Sequence, residues 1–262
     1  MILNEIVSHK RDVFRRLASI HPPEGLIEEL KDKIKTIPPP RDFLKALAGE
    51  DIRIIAEIKK ASPSCGVIRD NFEPTSIAGV YENNGAAAIS VLTEEKYFQG
   101  DINYIKGVKD KVAIPVLRKD FILEDYDVYE SRVYGADCIL LIVRILEEDR
   151  LRRLIELTQS LGMEALVEVH SEEELERVIS LGTRLIGINN RDLDTLGVDI
   201  NTTLHLMEKV QGDRIVVSES GVSSHGDILL LKMAGVAGFL VGEALMREVD
   251  IGKKLRELRG VG

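Results

Sequence analysis

"IRIIAEIKKASPS", residues Ile52 to Ser64, is the stretch of sequence that decides the fold. It begins with the aliphatic residues of a buried strand and then places Glu57, Lys59 and Lys60 where another apolar residue would continue that strand. Charges at the end of a buried strand are typical of parallel α/β folds, whose sites lie beyond the carboxyl ends of the strands.

The same alternation of apolar runs and longer amphipathic segments repeats along the chain at a nearly constant spacing, as in repeated βα units. Nearly continuous apolar strands indicate parallel pairing with both faces covered. The strand candidates are "IRIIAEI" from Ile52, "AAISVL" from Ala87, "AIPVLRKD" from Ala113, "CILLIV" from Cys138, "EALVEV" from Glu164, "RLIGIN" from Arg184, "RIVVSES" from Arg214 and "GFLVG" from Gly238. Eight such units predict an α/β fold, a single (β/α)8 TIM barrel, with an open doubly wound sheet as the alternative.

The helical segments carry their own start and stop signals. "SEEELERVISLG" begins with Ser171 and Glu174 at capping-box spacing, and it ends in Leu-Gly, a plausible C-cap, as does "LRRLIELTQSLG". Upstream, "NEIVSHKRDVFRRLASI" and "EGLIEELKDKIK" read as two extra helices, the second stopped by prolines 38–40. We therefore interpret residues 1–50 as an N-terminal helical extension of a catalytic barrel formed by residues 51–262, in one structural domain.

Composition and charge exclude some classes of protein. The chain has 262 residues, 44% of them hydrophobic, and a formal net charge of -9, which argues against nucleic acid as the main partner. No signal peptide and no run of about 18 apolar residues is present, so we expect a cytoplasmic protein with no membrane partner. Cys138 lies in an apolar run and is expected in the core, Cys65 is expected to be exposed, and no disulfide is expected between them.

Polar residues end five of the predicted strands. They are Glu57 and Lys59, Lys119, Glu168, Asn189 and Arg191, and Glu219 and Ser220. One such residue alone is typical of a solvated rim, but the carboxyl ends of barrel strands meet at a single mouth. Because buried charges need partners, the set predicts complementary ion pairs, a polar ligand, or both.

A phosphate site is predicted after the last two strands, in "SESGVSS" and "LVGEALM". Gly221 and Gly242 would let backbone N–H groups approach an anion at a helix N-terminus. Glu243 would contribute its backbone N–H only, with its carboxylate directed away. The alternative is that these glycines serve only tight turns between strand and helix.

Other chemistries find less support. The chain contains no GxxxxGK[ST], GxGxxG or GxSxG motif, which weakens nucleotide-hydrolysis, dinucleotide and serine-hydrolase hypotheses. Glu168 and His170 share strand spacing and fit a metal pair, but His170 directly precedes the capping Ser171, which favours a residue at the start of a loop.

Seven ordered segments carry a resemblance to a known family. "IIAEIKKASPS", "AISVLTEEKYFQG", "VLRKDF", "ALVEVH", "IGINNRDL", "VVSESGV" and "LVGEALM" closely resemble indole-3-glycerol phosphate synthase of tryptophan biosynthesis, over essentially the whole chain. The resemblance implies a carboxy-lyase that closes the ring of 1-(2-carboxyphenylamino)-1-deoxyribulose 5-phosphate with loss of carbon dioxide and water. It implies no metal or organic cofactor, a phosphorylated small molecule as substrate, and leaves open a complex with other enzymes of that pathway.

The resemblance also implies roles for the catalytic residues. Lys119 would be the general acid that protonates the substrate ketone, with nearby cations limiting its charge. Lys59 would bind the substrate carboxylate, and it is also a candidate proton donor for the dehydration. Glu57 and Glu168 would position these groups, stabilise a cationic intermediate and help to move protons, and the division of labour within the two pairs stays open.

The remaining positions match binding sites of the family. Asn189 would orient catalytic groups or a ribulose hydroxyl, and Arg191, Glu219 and Ser220 match other polar positions. Ser62, Gly221, Gly242 and the backbone of Glu243 match the phosphate site. Phe98 and Phe121 would pack against the anthranilate ring, or be ordinary core. Cys65 and Asn190 stand at positions that vary in the family and are expected to matter little.

Two further hypotheses remain at this stage. One is an isomerase-like barrel that acts on phosphoribosyl anthranilate, and the other is a catalytically silent barrel that binds a phosphorylated ligand or a partner enzyme. Neither needs the set of lysines and glutamates that this sequence carries.

Overall fold

A computed structural model describes residues 2–261 and contains a closed barrel of eight parallel strands. The strands are β1 (Arg53–Ile58), β2 (Ala88–Leu92), β3 (Val116–Lys119), β4 (Cys138–Ile142), β5 (Glu164–Val169), β6 (Leu185–Asn189), β7 (Ile215–Glu219) and β8 (Gly238–Val241). Each strand pairs with its neighbours in sequence, and β1 closes the ring by pairing with β8. The predicted (β/α)8 TIM barrel is confirmed, and the open sheet is excluded.

Helices surround the barrel and follow the strands along the chain. They are α1 (Ile2–Ile20), α2 (Pro23–Ile34), α3 (Phe43–Leu47), α4 (Pro74–Asn83), α5 (Glu95–Phe98), α6 (Asn103–Lys111), α7 (Asp125–Val133), α8 (Glu148–Ser160), α9 (Glu172–Ser180), α10 (Asn201–Met207), α11 (His225–Met233), α12 (Glu243–Met246) and α13 (Ile251–Arg259). A 3-10 turn spans Val143–Ile145 and a small hairpin pairs Ala61–Ser62 with Gly66–Val67. Within residues 2–261, no helix is both long enough and apolar enough to cross a membrane.

The N-terminal segment contributes buried residues to both ends of the barrel. Leu3 and Ile6 of α1 are buried and line the mouth at the carboxyl ends of the strands. At the other end, Phe43 and Leu47 of α3 are fully buried within the apolar cluster of the barrel interior. The sequence prediction missed α3, whose start is marked by Asp42: its carboxylate accepts a hydrogen bond from the Lys45 N–H at 2.8 Å.

Details of the strand and helix ends differ from the sequence prediction. Strand β3 begins at Val116 rather than Ala113, because Pro115 has no N–H to donate to a parallel ladder. In α9, the Ser171 hydroxyl accepts the Glu174 N–H at 3.2 Å, as predicted. The reciprocal half of the predicted capping box is wrong, since the Glu174 carboxylate accepts instead from the N–H of His170, at 2.7 Å.

The two cysteines have different environments. Cys138 is fully buried in the barrel interior, as predicted, whereas Cys65 is half-buried rather than exposed. Both thiols are free.

Candidate active site

A cavity of about 670 Å³ opens at the carboxyl ends of the barrel strands. This volume lies within the range of about 300–1,000 Å³ typical of small-molecule sites. Every residue that the sequence predicts for the site lines it: Glu57, Lys59, Ser62, Phe98, Lys119, Phe121, Glu168, Asn189, Arg191, Glu219, Ser220, Gly221, Gly242 and Glu243. The strand ends therefore converge at one mouth, as the fold requires.

Lys119 is the central cation of the cavity. Its ammonium group lies 3.0 Å from Oε2 of Glu168 and also contacts Oε2 of Glu219. Burial works against the charge, but the carboxylates of Glu168, Glu219 and Glu57 outweigh it and raise the pKa of Lys119 above its ordinary value. The expectation that nearby cations limit its charge is wrong, because the groups that surround this ammonium are carboxylates.

The two carboxylates that share Lys119 have different proton affinities. Burial opposes ionisation of Glu168, but Lys119 and His170 more than compensate and lower the pKa of this carboxyl. Burial and the neighbouring charge of Glu168 raise the pKa of Glu219 to about 7, despite the opposing effect of Lys119. Within this pair, Glu168 is thus the ionised member and Glu219 the one that binds a proton most readily.

Glu57 and Lys59 form a second ion pair at the end of β1. The Lys59 ammonium lies 2.7 Å from Oε1 of Glu57, and the two side chains are 15% and 5% exposed. Gly242 packs against the same carboxylate so closely that a Cβ on the glycine would overlap it. Glycine at this position therefore makes room for Glu57, a role that the sequence analysis did not assign to it.

The turn after β7 has a backbone conformation that few residues adopt. Ser220 and Gly221 have φ angles of 64° and 84°, in the left-handed region that favours glycine. A Cβ on Gly221 would lie 2.8 Å from the side chain of Val198 and 2.9 Å from that of Ile200. The turn is thus bent tightly against the loop after β6.

Asn190 holds this turn in place, and the sequence analysis missed it. The side chain is only 2% exposed. Its Nδ2 donates to the Ser220 carbonyl at 2.9 Å and to Ser218 Oγ at 3.0 Å. Its Oδ1 accepts from the Thr203 N–H at 3.0 Å and from the Thr203 hydroxyl at 2.8 Å. The signal that pointed to it was a second asparagine directly after a buried strand.

The loop after β6 carries the other polar residues on that side. Oδ1 of Asn189 accepts the Arg191 N–H at 3.0 Å. The guanidinium of Arg191 donates to the Leu196 carbonyl at 3.0 Å and lies 3.9 Å from Oε2 of Glu243. Arg191 thus lies beside the cavity, and the carboxylate of Glu243 is at the edge of ion-pair distance.

Glu243 is held by partners outside the cavity centre. Its Oε1 accepts from Arg247 at 2.9 Å and from the thiol of Cys65 at 3.3 Å. Burial opposes the charge, but these hydrogen bonds lower the pKa of Glu243. Ser62 lies nearby on the small hairpin, buried, with its hydroxyl 3.3 Å from that of Ser64.

One wall of the cavity is apolar. The rings of Phe98 and Phe121 lie with centroids 6.2 Å apart and tilted by 40°, and both side chains are half-buried. Leu140 and Ile142 of β4 and Leu240 of β8 complete the floor. Phe121 also packs against the apolar cluster of the barrel interior and against a second, larger cluster of buried apolar residues. It therefore serves the core as well as the cavity.

His170, which the sequence analysis paired with Glu168 as a metal alternative, is almost fully buried behind the cavity. Its Nε2 lies 3.3 Å from Glu168 Oε1 and its Nδ1 lies 3.4 Å from Glu174 Oε2. Within residues 2–261, no group of three or more His, Cys, Asp or Glu side chains has an arrangement that would hold a metal ion.

Comparison with known families gives a match along nearly the whole chain. The model of the family described as "Indole-3-glycerol phosphate synthase" matches residues 3–258. The indole-3-glycerol phosphate synthase of Desulforamulus reducens is 47% identical over 260 residues, which cover 98% of this chain and 97% of that protein. The enzyme of the same name from Dehalococcoides mccartyi is 48% identical over 262 residues, covering 98% of this chain and 100% of its own.

Comparison with solved structures shows the fold alone. A 3-hexulose-6-phosphate synthase has a TM-score of 0.65 at 16% identity and covers 80% of this chain and 100% of its own. A thiamine phosphate pyrophosphorylase from Pyrococcus furiosus has a TM-score of 0.60 at 16% identity, covering 80% of this chain and 94% of its own.

Proposed function

The chain belongs to the indole-3-glycerol phosphate synthase family, and from that premise we propose how its cavity residues divide the work of the reaction. The reaction is that of a carboxy-lyase in tryptophan biosynthesis. It converts 1-(2-carboxyphenylamino)-1-deoxyribulose 5-phosphate to indole-3-glycerol phosphate, carbon dioxide and water. The family match favours this activity over the isomerase-like and silent barrels.

Lys119 is the general acid for ring closure. This role is supported by the position of its ammonium group, which Glu168 and Glu219 hold in the cavity. A raised pKa keeps this donor protonated at neutral pH. The attack of the aromatic carbon on the ketone generates an alkoxide, which is more basic than an amine and takes the proton even from a stabilised ammonium.

Lys59 binds the carboxylate that is lost as carbon dioxide. Its ammonium is paired with Glu57, so the substrate carboxylate joins an existing ion pair. Glu57 and Glu168 then offer negative charge to the iminium that forms when the aromatic carbon has attacked. Both are almost fully buried, which strengthens that electrostatic effect. Asn189 beside them orients a ribulose hydroxyl.

The phosphate binds at the turns after β7 and β8. Ser220 and Gly221 have left-handed backbones, and Gly242 directly precedes α12, so several N–H groups lack a bulky side chain in front of them. Arg191 and Ser62 line the same side of the cavity and supply a charge and a hydroxyl. Phe98 and Phe121 contact the anthranilate ring on the opposite, apolar side.

Three broader proposals accompany the site. Residues 1–50 and 51–262 form one structural domain, since Leu3 and Ile6 of the extension line the cavity of the barrel. The protein works in the cytoplasm, because its substrate is a charged intermediate of amino-acid synthesis. Other enzymes of tryptophan biosynthesis are candidate partners.

Product formation tests the function directly. The chain contains no Trp, so no indole emission comes from the protein, and an indole emission band that appears when the purified protein meets the carboxyphenylamino-deoxyribulose phosphate reports product. Absence of such emission, with the protein folded by circular dichroism, would contradict the assignment.

A structure with a reduced, unreactive substrate tests the site. Its phosphate should lie beside Gly221 and Gly242, and an anion at Lys10 or Arg11 of α1 would refute that placement.

A further inference from the structure

His170 is a buried residue that no step above uses. It directly follows β5, and its side chain is 4% exposed. Carboxylate oxygens of Glu168 and Glu174 lie 3.3 and 3.4 Å from its two ring nitrogens, although neither contact has hydrogen-bond geometry. A neutral imidazole would turn a lone pair toward one of these carboxylates, whereas an imidazolium presents an N–H to both.

Glu174 lies beside Nδ1 of the ring and is itself held in place. Its Oε2 accepts the backbone N–H of His170 at 2.7 Å, and its Oε1 accepts from Nε of Arg144 at 3.3 Å. Arg144 also lies 3.7 Å from Oδ2 of Asp194. The carboxylate that faces Nδ1 is thus held by two other groups and cannot turn away from the ring.

A second cavity, of about 360 Å³, lies on the far side of the ring. The charged residues that line it with His170 are Arg144, Arg191, Asp192 and Asp199. On the near side, the charges are those of Lys119, Glu168 and Glu219. These groups, with Glu174 and Asp194, make up the charged surroundings of the ring.

The His170 ring gives the two carboxylates that share Lys119 different surroundings. Glu168 directs one oxygen to the ammonium and the other to His170. Glu219 directs one oxygen to the ammonium, while its Oε1 is buried and has no hydrogen-bond partner. Glu168 therefore lies between the Lys119 ammonium and the His170 ring, and Glu219 lies beside the ammonium alone.

The chemistry requires a group that exchanges protons. Ring closure puts one proton on the ketone oxygen, and decarboxylation breaks a carbon–carbon bond without moving a proton. Dehydration gives one proton to the leaving hydroxyl and takes one from the carbon next to nitrogen. Each turnover therefore takes up one proton overall, and the site must donate two and accept one.

We propose that His170 is a positioning residue that keeps Glu168 ionised, so that Glu219 is the carboxyl group of the pair that exchanges a proton during turnover. The inference rests on the proposed roles of Lys119 and Glu168. The electrostatics agree with it. Despite the opposing effect of burial, the nearby carboxylates of Glu168 and Glu174 raise the pKa of His170 above its ordinary value, and Glu219, with its raised pKa, is poised near neutrality.

Carbon-13 NMR of protein labelled at the glutamate side-chain carboxyl carbon tests this without turnover. In the natural chain, the Glu168 signal should stay that of a carboxylate from about pH 8 down to about pH 5, while the Glu219 signal titrates. Glu168→Gln and Glu219→Gln variants assign the two signals. In His170→Asn, Glu168 should take up protons within that range, because it has lost a cation about 3 Å away.

Kinetics give a second readout. At about pH 6, His170→Asn should lower kcat by about tenfold or more while KM changes little. The variant changes which carboxyl group carries the proton and removes no contact with the substrate. His205→Asn is the matched control, because His205 also contacts a glutamate, Glu172, but is exposed on α10. It should leave both the NMR titration and kcat unchanged.

Three results would overturn the proposal. They are a Glu168 that stays ionised in His170→Asn, a natural chain in which Glu168 titrates before Glu219, and a His170 ring that nitrogen-15 NMR shows to be neutral at about pH 7. The last two measurements use the natural chain, so they decide even if the variant fails to fold. A natural chain without synthase activity would instead contradict the proposed function.

Discussion

Gly242 leaves room for the carboxylate of Glu57: a Cβ built on the glycine would overlap Oε1 and lie 3.1 Å from Cβ of Glu57. The glycine follows β8 and the glutamate lies in β1, and these two strands close the barrel. The residue that we place at the phosphate therefore also sets the position of a carboxylate in the catalytic pair with Lys59.

Gly242→Ala should consequently impair catalysis and not only phosphate binding. The methyl group displaces Glu57, and a catalytic group moved by about 1 Å can cost about 10²-fold in rate. We expect kcat to fall by about that factor, measured by steady-state indole fluorescence. Gly25→Ala in α2, where no atom lies within 4 Å of the added carbon, is the control and should keep full activity. An effect on KM alone would mean that Glu57 keeps its place.

The two lysines should respond differently to removal of their charge. Lys119→Met should lower kcat by about 10²–10⁴-fold while the substrate still binds, because a general acid acts mainly in the transition state. Lys59→Met should raise KM as well, since the substrate carboxylate is charged from the start. Steady-state kinetics, with folding checked by circular dichroism, measures both.

Lys60→Met provides the control for the lysine variants. Lys60 directly follows Lys59, but its side chain does not line the cavity, and we expect unchanged kinetics. If Lys119→Met keeps more than about a tenth of the activity, well short of the loss expected for a general acid, Lys59 becomes the candidate acid.

Glu219 should make stability fall as the pH rises toward neutrality. Its pKa is about 7 in the folded protein, whereas a glutamate in an unfolded chain has a pKa of about 4.3. Between these values the folded state therefore binds more protons than the unfolded state. The free energy of unfolding contributed by this group therefore decreases with rising pH across that window, by about 3 kcal/mol in total.

Urea unfolding of the natural chain and of Glu219→Gln, at about pH 5 and at about pH 8, measures this contribution. The amide of Gln at position 219 cannot ionise. The difference in free energy of unfolding, natural chain minus variant, should therefore be smaller at about pH 8 than at about pH 5. A difference that grows with pH would show that Glu219 is ionised throughout.

The sequence predicted the charged groups that line the cavity because each one ends a strand. Charges such as Glu168 and Lys119 stand out against an apolar run, and the barrel brings the ends of all its strands to one mouth. The same argument predicts a ligand site but does not predict which charged side chains form ion pairs. Lys119 lies close to both Glu168 and Glu219 because of the register of three strands, which the sequence does not reveal.

Residues that act through packing left weaker signals. Gly187 lies inside β6, and a Cβ there would overlap Oε1 of Glu219, but a single glycine in a strand is compatible with many causes. Leu3 and Ile6 of α1 read as an ordinary apolar helix face, and nothing local indicates that this face covers the mouth of the barrel.

Asn190 is the clearest residue that sequence reasoning missed, and its replacement gives the last prediction. Asn190→Ala removes four hydrogen bonds. The hydroxyls of Ser218 and Thr203 still contact each other at 3.0 Å, so the Ser220 carbonyl and the Thr203 N–H are the two groups that lose their partner. Because a buried group that loses its partner costs about 1–3 kcal/mol, the loss at these two groups should destabilise the protein by about 2–6 kcal/mol, measured by urea unfolding.

The turn at Ser220 and Gly221 should loosen in this variant, because its carbonyl anchor is gone. We expect KM for the phosphorylated substrate to rise by more than kcat falls, since the turn is assigned to the phosphate and not to the reacting carbons. Asn201→Ala is the control: its Nδ2 donates to Asp199 Oδ1 at 2.8 Å on the surface, so its loss should change neither stability nor KM by much. If Asn190→Ala lowered stability but left KM unchanged, Asn190 would serve the barrel core alone, and the phosphate would bind independently of this turn.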